Sequence, residues 1–175
     1  PSILAVDDMP ENLDVIKGIL GDDYSVKAAI NGTLALKIAK SLPISLILLD
    51  IMMPGMDGHE VCRLLKADPQ TKHIPVIFVT TKGEETEEAK GFELGVVDYI
   101  TKPVSPMILK ARVATHLALF DQNQALESKV AKRTIELMQT RMEVVERLGR
   151  AAEYRDNETG RHVIRVGKYS KALAL

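Results

Sequence analysis

Over its first 104 residues the chain alternates between two textures. Short apolar runs rich in β-branched residues occur at 2–6, 24–30, 44–49, 76–80 and 97–100. Between them lie amphipathic stretches at 11–20, 33–42, 59–67 and 84–94. Their apolar positions, such as Leu13, Ile16, Ile19 and Leu20, recur at three-to-four spacing, which puts them on one helix face. Turn residues mark the joints: Gly21-Asp22-Asp23, Asn31-Gly32, Pro54-Gly55, Asp68-Pro69 and Gly95. Strands that read as continuous apolar runs are covered on both faces, as in a parallel sheet with helices on either side. Five such strands alternating with helices predict a doubly wound α/β domain with a five-stranded parallel sheet.

From Ser105 the texture changes. Pro106 suits a first helical turn, and neither Pro nor Gly occurs again until Gly149, so the pattern predicts an extended C-terminal helical tail. On a seven-residue repeat, positions 119, 123, 126, 130, 133, 137, 140 and 144 read Leu, Asn, Leu, Val, Arg, Leu, Thr and Val. Five of these eight are apolar, and Asn123 matches the polar core residue that sets register in two-stranded coils. Glu143 with Arg147 and Glu146 with Arg150 are spaced to support the helix. The step from Val144 to Leu148 breaks the repeat. Two readings stay open: a coil pairing two copies into a homodimer, or a helix packed on another domain, which Arg133 in the seam favours.

Composition narrows the class. Apolar residues make up 46% and charged residues 27%, a globular mix that excludes disordered and collagen-like chains. The single cysteine, Cys62, cannot form an internal disulfide and reads as a small core residue. The most apolar stretch is broken by Asp50 and Pro54, so no membrane span is expected. With no basic region ahead of an apolar one at the start, a soluble cytoplasmic protein is expected. The net charge of −1 hides an asymmetry: residues 1–104 hold 10 Lys/Arg and 16 Asp/Glu, and residues 105–175 hold 13 and 8. The tail's basic residues are interspersed with Glu and lack aromatic interleaving, so a solvated helix surface outweighs a nucleic-acid partner. The acidic residues Asp22, Asp23, Glu84, Glu85, Glu87 and Glu88 read as helix-opening charge rather than metal ligands.

In an open parallel sheet, ligands bind beyond the carboxyl ends of the strands, where the strand order reverses. Asp7 and Asp8 follow the first strand, Asp50 ends the third, Thr80 ends the fourth and Lys102 follows the fifth. If the first and third strands are neighbours, three carboxylates converge, and hard oxygen ligands at that density suit Mg²⁺. A divalent ion beside a carboxylate, with Lys102 and a hydroxyl at hand, is apparatus for phosphoryl transfer. No Gly-rich phosphate loop is present, which leaves the carboxylate itself as acceptor.

These pieces resemble the receiver domain of two-component response regulators over residues 2–120. They are Asp7-Asp8, the run from Asp50 through Met52, Pro54 and Asp57 to Gly58, Val79-Thr80, and Tyr99 through Lys102-Pro103. The resemblance implies a flavodoxin-like sheet of order 2-1-3-4-5. It implies Asp50 as phosphoacceptor, charged by a sensor histidine kinase or phosphotransfer protein. Asp8, Asp50 and the backbone carbonyl of Met52 would ligate Mg²⁺, with Asp7 acting through water. Thr80 and Lys102 would contact the phosphoryl group, Lys102–Pro103 would be cis, and Tyr99 would turn inward as Thr80 moves. The surface of stretch 84–94, the fifth strand and the helix after it would carry the change outward. Asp57 and Gly58 are expected to shape the loop and open a helix. Thr81 departs from the small Ala usual at that position and, with Met52 and Lys82, bears on phosphate lifetime.

The segment from Arg147 to Tyr169 resembles the opening of the HD-GYP phosphodiesterase domain, which hydrolyses cyclic di-GMP at a two- or three-metal centre. The resemblance implies Glu158 and His162 as metal ligands there. No His-Asp pair and no Gly-Tyr-Pro loop occurs, so that site is incomplete in these residues. The expected organisation is a receiver at 1–120, a linker helix at 121–148 and the first helices of an output domain at 149–175. The fragment itself is expected to turn over no substrate. A constitutive dimerisation or docking module is the alternative, as is the receiver of a DNA-binding regulator, against which stands the absence of a helix-turn-helix pattern.

Overall fold

The computed structural model describes residues 1–81, 94–155 and 167. In chain order the elements are β1 (Ser2–Val6), α1 (Pro10–Leu20), β2 (Ser25–Ala29), α2 (Gly32–Ser41), β3 (Leu46–Asp50), α3 (Gly58–Ala67), β4 (Val76–Thr81), β5 (Asp98–Lys102) and α4 (Pro106–Arg155). The amphipathic stretch at 84–94 falls, apart from Leu94, outside the described residues. The five strands form one parallel sheet of order β2-β1-β3-β4-β5, as the alternating pattern predicts. Because the chain steps from β1 to β2 on one side and to β3 on the other, the strand order reverses between β1 and β3.

Each helix carries a local reason for its start. Pro10 opens α1, where its missing N–H costs nothing. The Asn31 side chain accepts the Leu34 N–H at 2.8 Å to cap α2, and Asp57 does the same for Glu60 at 2.8 Å on α3. Apolar side chains fill both faces of the sheet. On one face Leu13, Ile16 and Leu20 of α1 meet Leu109, Val113 and Leu117 of α4, over Ile3, Leu48 and Ile77. On the other, Val61, Cys62 and Leu65 of α3 pack on Ile47, Leu49 and Phe78. Burying each such large side chain stabilises the fold by about 1.5–3 kcal/mol. Cys62 is buried, as expected of a core residue, and burial pushes its thiol up to about 11.

Three expectations change in detail. β2 is mostly exposed rather than covered on both faces, because it forms the edge of the sheet. β4 runs on to Thr81, and Lys102 is the last residue of β5 rather than the first after it: the Thr81–Lys102 pairing extends both strands. The helix from Pro106 continues through Gly149 to Arg155. A single helical glycine costs about 1 kcal/mol, too little to stop a long helix.

The chain divides into two compact units, Pro1–Asn123 and Gln124–Leu175. Within α4, Leu119, Leu126, Val130, Leu137 and Val144 are each about half exposed or more. Glu146 pairs with Arg150 at 3.7 Å, and Arg133 pairs along its own helix with Glu136 at 3.2 Å. No helix among the described residues is long and apolar enough to cross a membrane.

Gly58 is demanded by close approach. A methyl group there would sit 2.3 Å from the Asp50 carbonyl oxygen and 2.7 Å from the Ile51 Cα, both main-chain atoms that cannot step aside. Gly58→Ala is expected to destabilise the protein by about 1–3 kcal/mol. The check is the denaturant midpoint; an unchanged midpoint would show that the loop yields freely.

Candidate functional site

Four charged side chains meet at the carboxyl edge of the sheet. Asp7, directly after β1, is 1% exposed and Asp50, at the end of β3, is 4% exposed. Pairing of β1 with β3 makes their strand ends neighbours. Carboxylate oxygens of Asp7, Asp8 and Asp50 all lie within 4.8 Å of one another. The Lys102 ammonium reaches past β4 to bond Asp7 Oδ2 at 2.8 Å and Asp50 Oδ2 at 3.0 Å.

Electrostatics follow from this geometry. Burial raises the Asp50 carboxyl above its ordinary value and the Asp7 charge adds to the effect, while Lys102 and the Met52 N–H pull the other way. Burial alone would lower the Lys102 ammonium, but its bonds to Asp7 and Asp50 outweigh that and hold it raised. Three carboxylates against one ammonium leave the cluster short of positive charge. Hard oxygen donors at this spacing fit a small divalent cation such as Mg²⁺.

Asp7 is held from a second side that the sequence did not reveal. Asn12, in the first turns of α1, donates to both its carboxylate oxygens at 2.9 and 3.0 Å, and the Met9 N–H donates to Oδ1 at 2.9 Å. The only cue in the sequence is an amide five residues on, and the direction of α1 is needed to use it.

Thr80 is buried and its hydroxyl donates to the Thr81 carbonyl at 3.3 Å. The Asp50–Val79 pairing sets Thr80 one residue beyond Asp50's neighbour. Met52 is exposed in the loop after Asp50, the Lys102–Pro103 bond is cis, and Tyr99 is 7% exposed, its ring against Phe78. Asp57 and Gly58 open α3 as expected. Glu158 and His162 lie outside the described residues. His116, isolated in sequence, sits 3.0 Å from Asp98 Oδ2, and Arg112 bonds Asp98 and the Tyr99 carbonyl, so a helix turn of α4 is pinned to β5.

The sequence matches the family model of the response regulator receiver domain over residues 3–114. The chain belongs to this family. It is 47% identical to a protein of Vibrio cholerae described as a probable cyclic di-GMP phosphodiesterase, over 99% of this chain and 41% of that one. It is 35% identical to a cyclic di-GMP phosphodiesterase response regulator of Xanthomonas campestris, over 75% of this chain and 36% of the relative. The chain therefore spans about two fifths of the length of these relatives. Among solved structures, the receiver domain of a histidine kinase from Syntrophus aciditrophicus is 34% identical. It superposes with a TM-score of 0.62, over 67% of this chain and 89% of that one. As a receiver, the chain is a component of two-component signalling; such domains bind Mg²⁺ in an acidic pocket and interact with histidine kinases or phosphotransfer proteins.

Two outcomes test the electrostatics. Because the folded Asp50 carboxyl titrates above its ordinary 3.8, its charge costs stability at neutral pH. Asp50→Asn is therefore expected to raise Tm at neutral pH, with the gain fading as pH falls through the raised value and absent below about 3.8. Lys102→Ala leaves two buried carboxylates without their cation and is expected to cost about 2–4 kcal/mol at pH 7. Thermal melts across pH check both, and equal curves for all three proteins would contradict the charge balance.

Proposed function

We propose that Asp50 is the phosphoacceptor of a signalling switch, and that Mg²⁺ is held by Asp8, Asp50 and the Met52 backbone carbonyl, with Asp7 acting through water. The observation that carries this reading is the Lys102 ammonium lodged between Asp7 and Asp50, with Asp8 beside them. A carboxylate oxygen of Asp50 attacks the phosphorus of a phosphohistidine on a partner kinase or phosphotransfer protein. The new P–O bond forms as the P–N bond breaks, and the imidazole nitrogen leaves with the bonding pair and takes up a proton. Mg²⁺, when bound, neutralises charge on the phosphoryl oxygens. Lys102 offsets the charge brought to Asp50, and the Thr80 hydroxyl bonds a phosphoryl oxygen. Burial that lifts the Asp50 carboxyl above its ordinary value makes a more basic nucleophile.

The switch is read by the segments C-terminal to it. In this reading residues 1–120 are the receiver, 121–148 a linker helix and 149–175 the start of an HD-GYP-like output domain to which Glu158 and His162 contribute metal ligands. The Vibrio and Xanthomonas relatives both carry cyclic di-GMP phosphodiesterase in their names, which supports that output for the longer protein. Two copies pair through Leu119 and the linker's Leu126, Val130, Leu137 and Val144, whose exposure on α4 leaves them available to a partner helix. Thr140 lies in the same seam, its hydroxyl spent on the Glu136 carbonyl at 3.0 Å. Arg133, satisfied by Glu136, does not leave a bare charge there.

Incubation with phosphoramidate and Mg²⁺ is expected to place one phosphoryl group on each chain, seen by intact mass, and none on Asp50→Ala. Phosphoryl uptake by Asp50→Ala would overturn the assignment. Light scattering with Mg²⁺, with and without beryllofluoride, is expected to report twice the 19.3 kDa chain mass in at least one state. A monomer in both states would sink the coil.

A further inference from the structure

Three aromatic rings stand edge to face in series on the α3 side of the sheet. The His59 and Phe78 rings are 5.2 Å apart at 73°, and the Phe78 and Tyr99 rings 5.7 Å apart at 66°. Phe78 and Tyr99 are register partners across β4 and β5, so strand pairing itself sets their rings side by side. Phe78 is fully buried, and Thr80, two residues on, shares its face of β4. At the other end, His59 is the second residue of α3, directly after the glycine packed against the Asp50 carbonyl. The Gly58 N–H donates to the Ile51 carbonyl at 2.9 Å, which ties the first turn of α3 to the residue after Asp50.

We infer that His59 and Phe78 are positioning residues of the switch: their rings hold Tyr99 in its buried place and link that place to the loop after Asp50. This inference rests on Asp50 being the phosphoacceptor. The bond between hydroxyl and phosphoryl group that Thr80 supplies is then one connection between the site and Tyr99, and the rings are a second. A buried edge-to-face pair is favoured by the ring quadrupoles beyond the area it buries. Ligand affinity and ring position are linked reciprocally, so a change that frees Tyr99 weakens whatever binding favours the buried ring.

The test uses the whole chain labelled with 3-fluorotyrosine, the Tyr99 fluorine signal being assigned with Tyr99→Phe. His59 is partly exposed, so His59→Leu replaces its ring with an apolar side chain at the rim of the core, while His59→Phe keeps a ring in place. In ligand-free His59→Leu, the Tyr99 signal is expected to move toward the position of a solvent-exposed tyrosine. With Mg²⁺ present, beryllofluoride affinity is expected to fall about three- to tenfold, the worth of one aromatic pair. His59→Phe is expected to restore both readouts, which a loss of general stability alone would not predict. Phe78→Leu should act in the same direction on the Tyr99 signal. An unmoved Tyr99 signal and unchanged affinity in both leucine variants would overturn the inference. Failure of the unsubstituted protein to bind beryllofluoride would instead overturn the Asp50 reading, and the ligand-free Tyr99 signal separates the two failures.

Discussion

A single ammonium group holds the working edge of this molecule together. Lys102 Nζ lies 2.8 Å from Asp7 and 3.0 Å from Asp50, two carboxylates that the fold buries almost completely. Like charges so close and so dry repel strongly, and the low local dielectric amplifies both the repulsion and the remedy. The cation comes from the last residue of β5, two strands away from Asp50 and three from the end of β1. One side chain thus ties the sheet's far edge to the point where its strand order reverses. Displacing it from Asp50 would alter a contact that spans most of the sheet.

The surrounding structure keeps that cluster in place at some cost to stability. A buried ion pair seldom outperforms apolar packing of equal volume, so the acidic edge is not there to strengthen the fold. Its neighbours are constrained accordingly. Asn12 and the Met9 N–H hold Asp7 alongside Lys102, and the glycine at the head of α3 fits against the Asp50 carbonyl where no methyl group would. Beneath this rim, Leu, Ile and Val side chains on both faces of the sheet supply the stability that the rim consumes.

Side chains tie β5 to α4. Asp98 accepts from its neighbour's N–H and is bonded by Arg112 and His116, so the strand carrying Tyr99 and Lys102 is clamped to the helix that runs on to Arg155. On that helix Leu109, Val113 and Leu117 are buried against the sheet, whereas Leu119, Leu126, Val130, Leu137 and Val144 are exposed. The change from covered to uncovered apolar residues occurs within one continuous helix, near the division between the chain's two compact units.

The order of elements, the parallel sheet and the placement of Asp7, Asp8, Asp50, Thr80 and Lys102 near strand ends were legible in the residues alone. Alternating apolar runs and helical periodicity are local patterns, and chemistry clustered at strand ends is visible once those runs are marked. The exposed edge of β2 and the membership of Lys102 in β5 were not, because pairing and packing override local runs. Asn12 on Asp7, His116 on Asp98 and His59 on Phe78 were invisible for a related reason. Nothing in their spacing marks them, and each meets its partner only after helices have docked on the sheet. Which segments become strands and helices, and which residue types stand at their ends, are properties of neighbouring residues and can be read along the chain. Which of those ends touch is settled only on folding. Contacts between residues as far apart as Asp7 and Lys102 depend on strand order and on how the side chains of the whole sheet fit together.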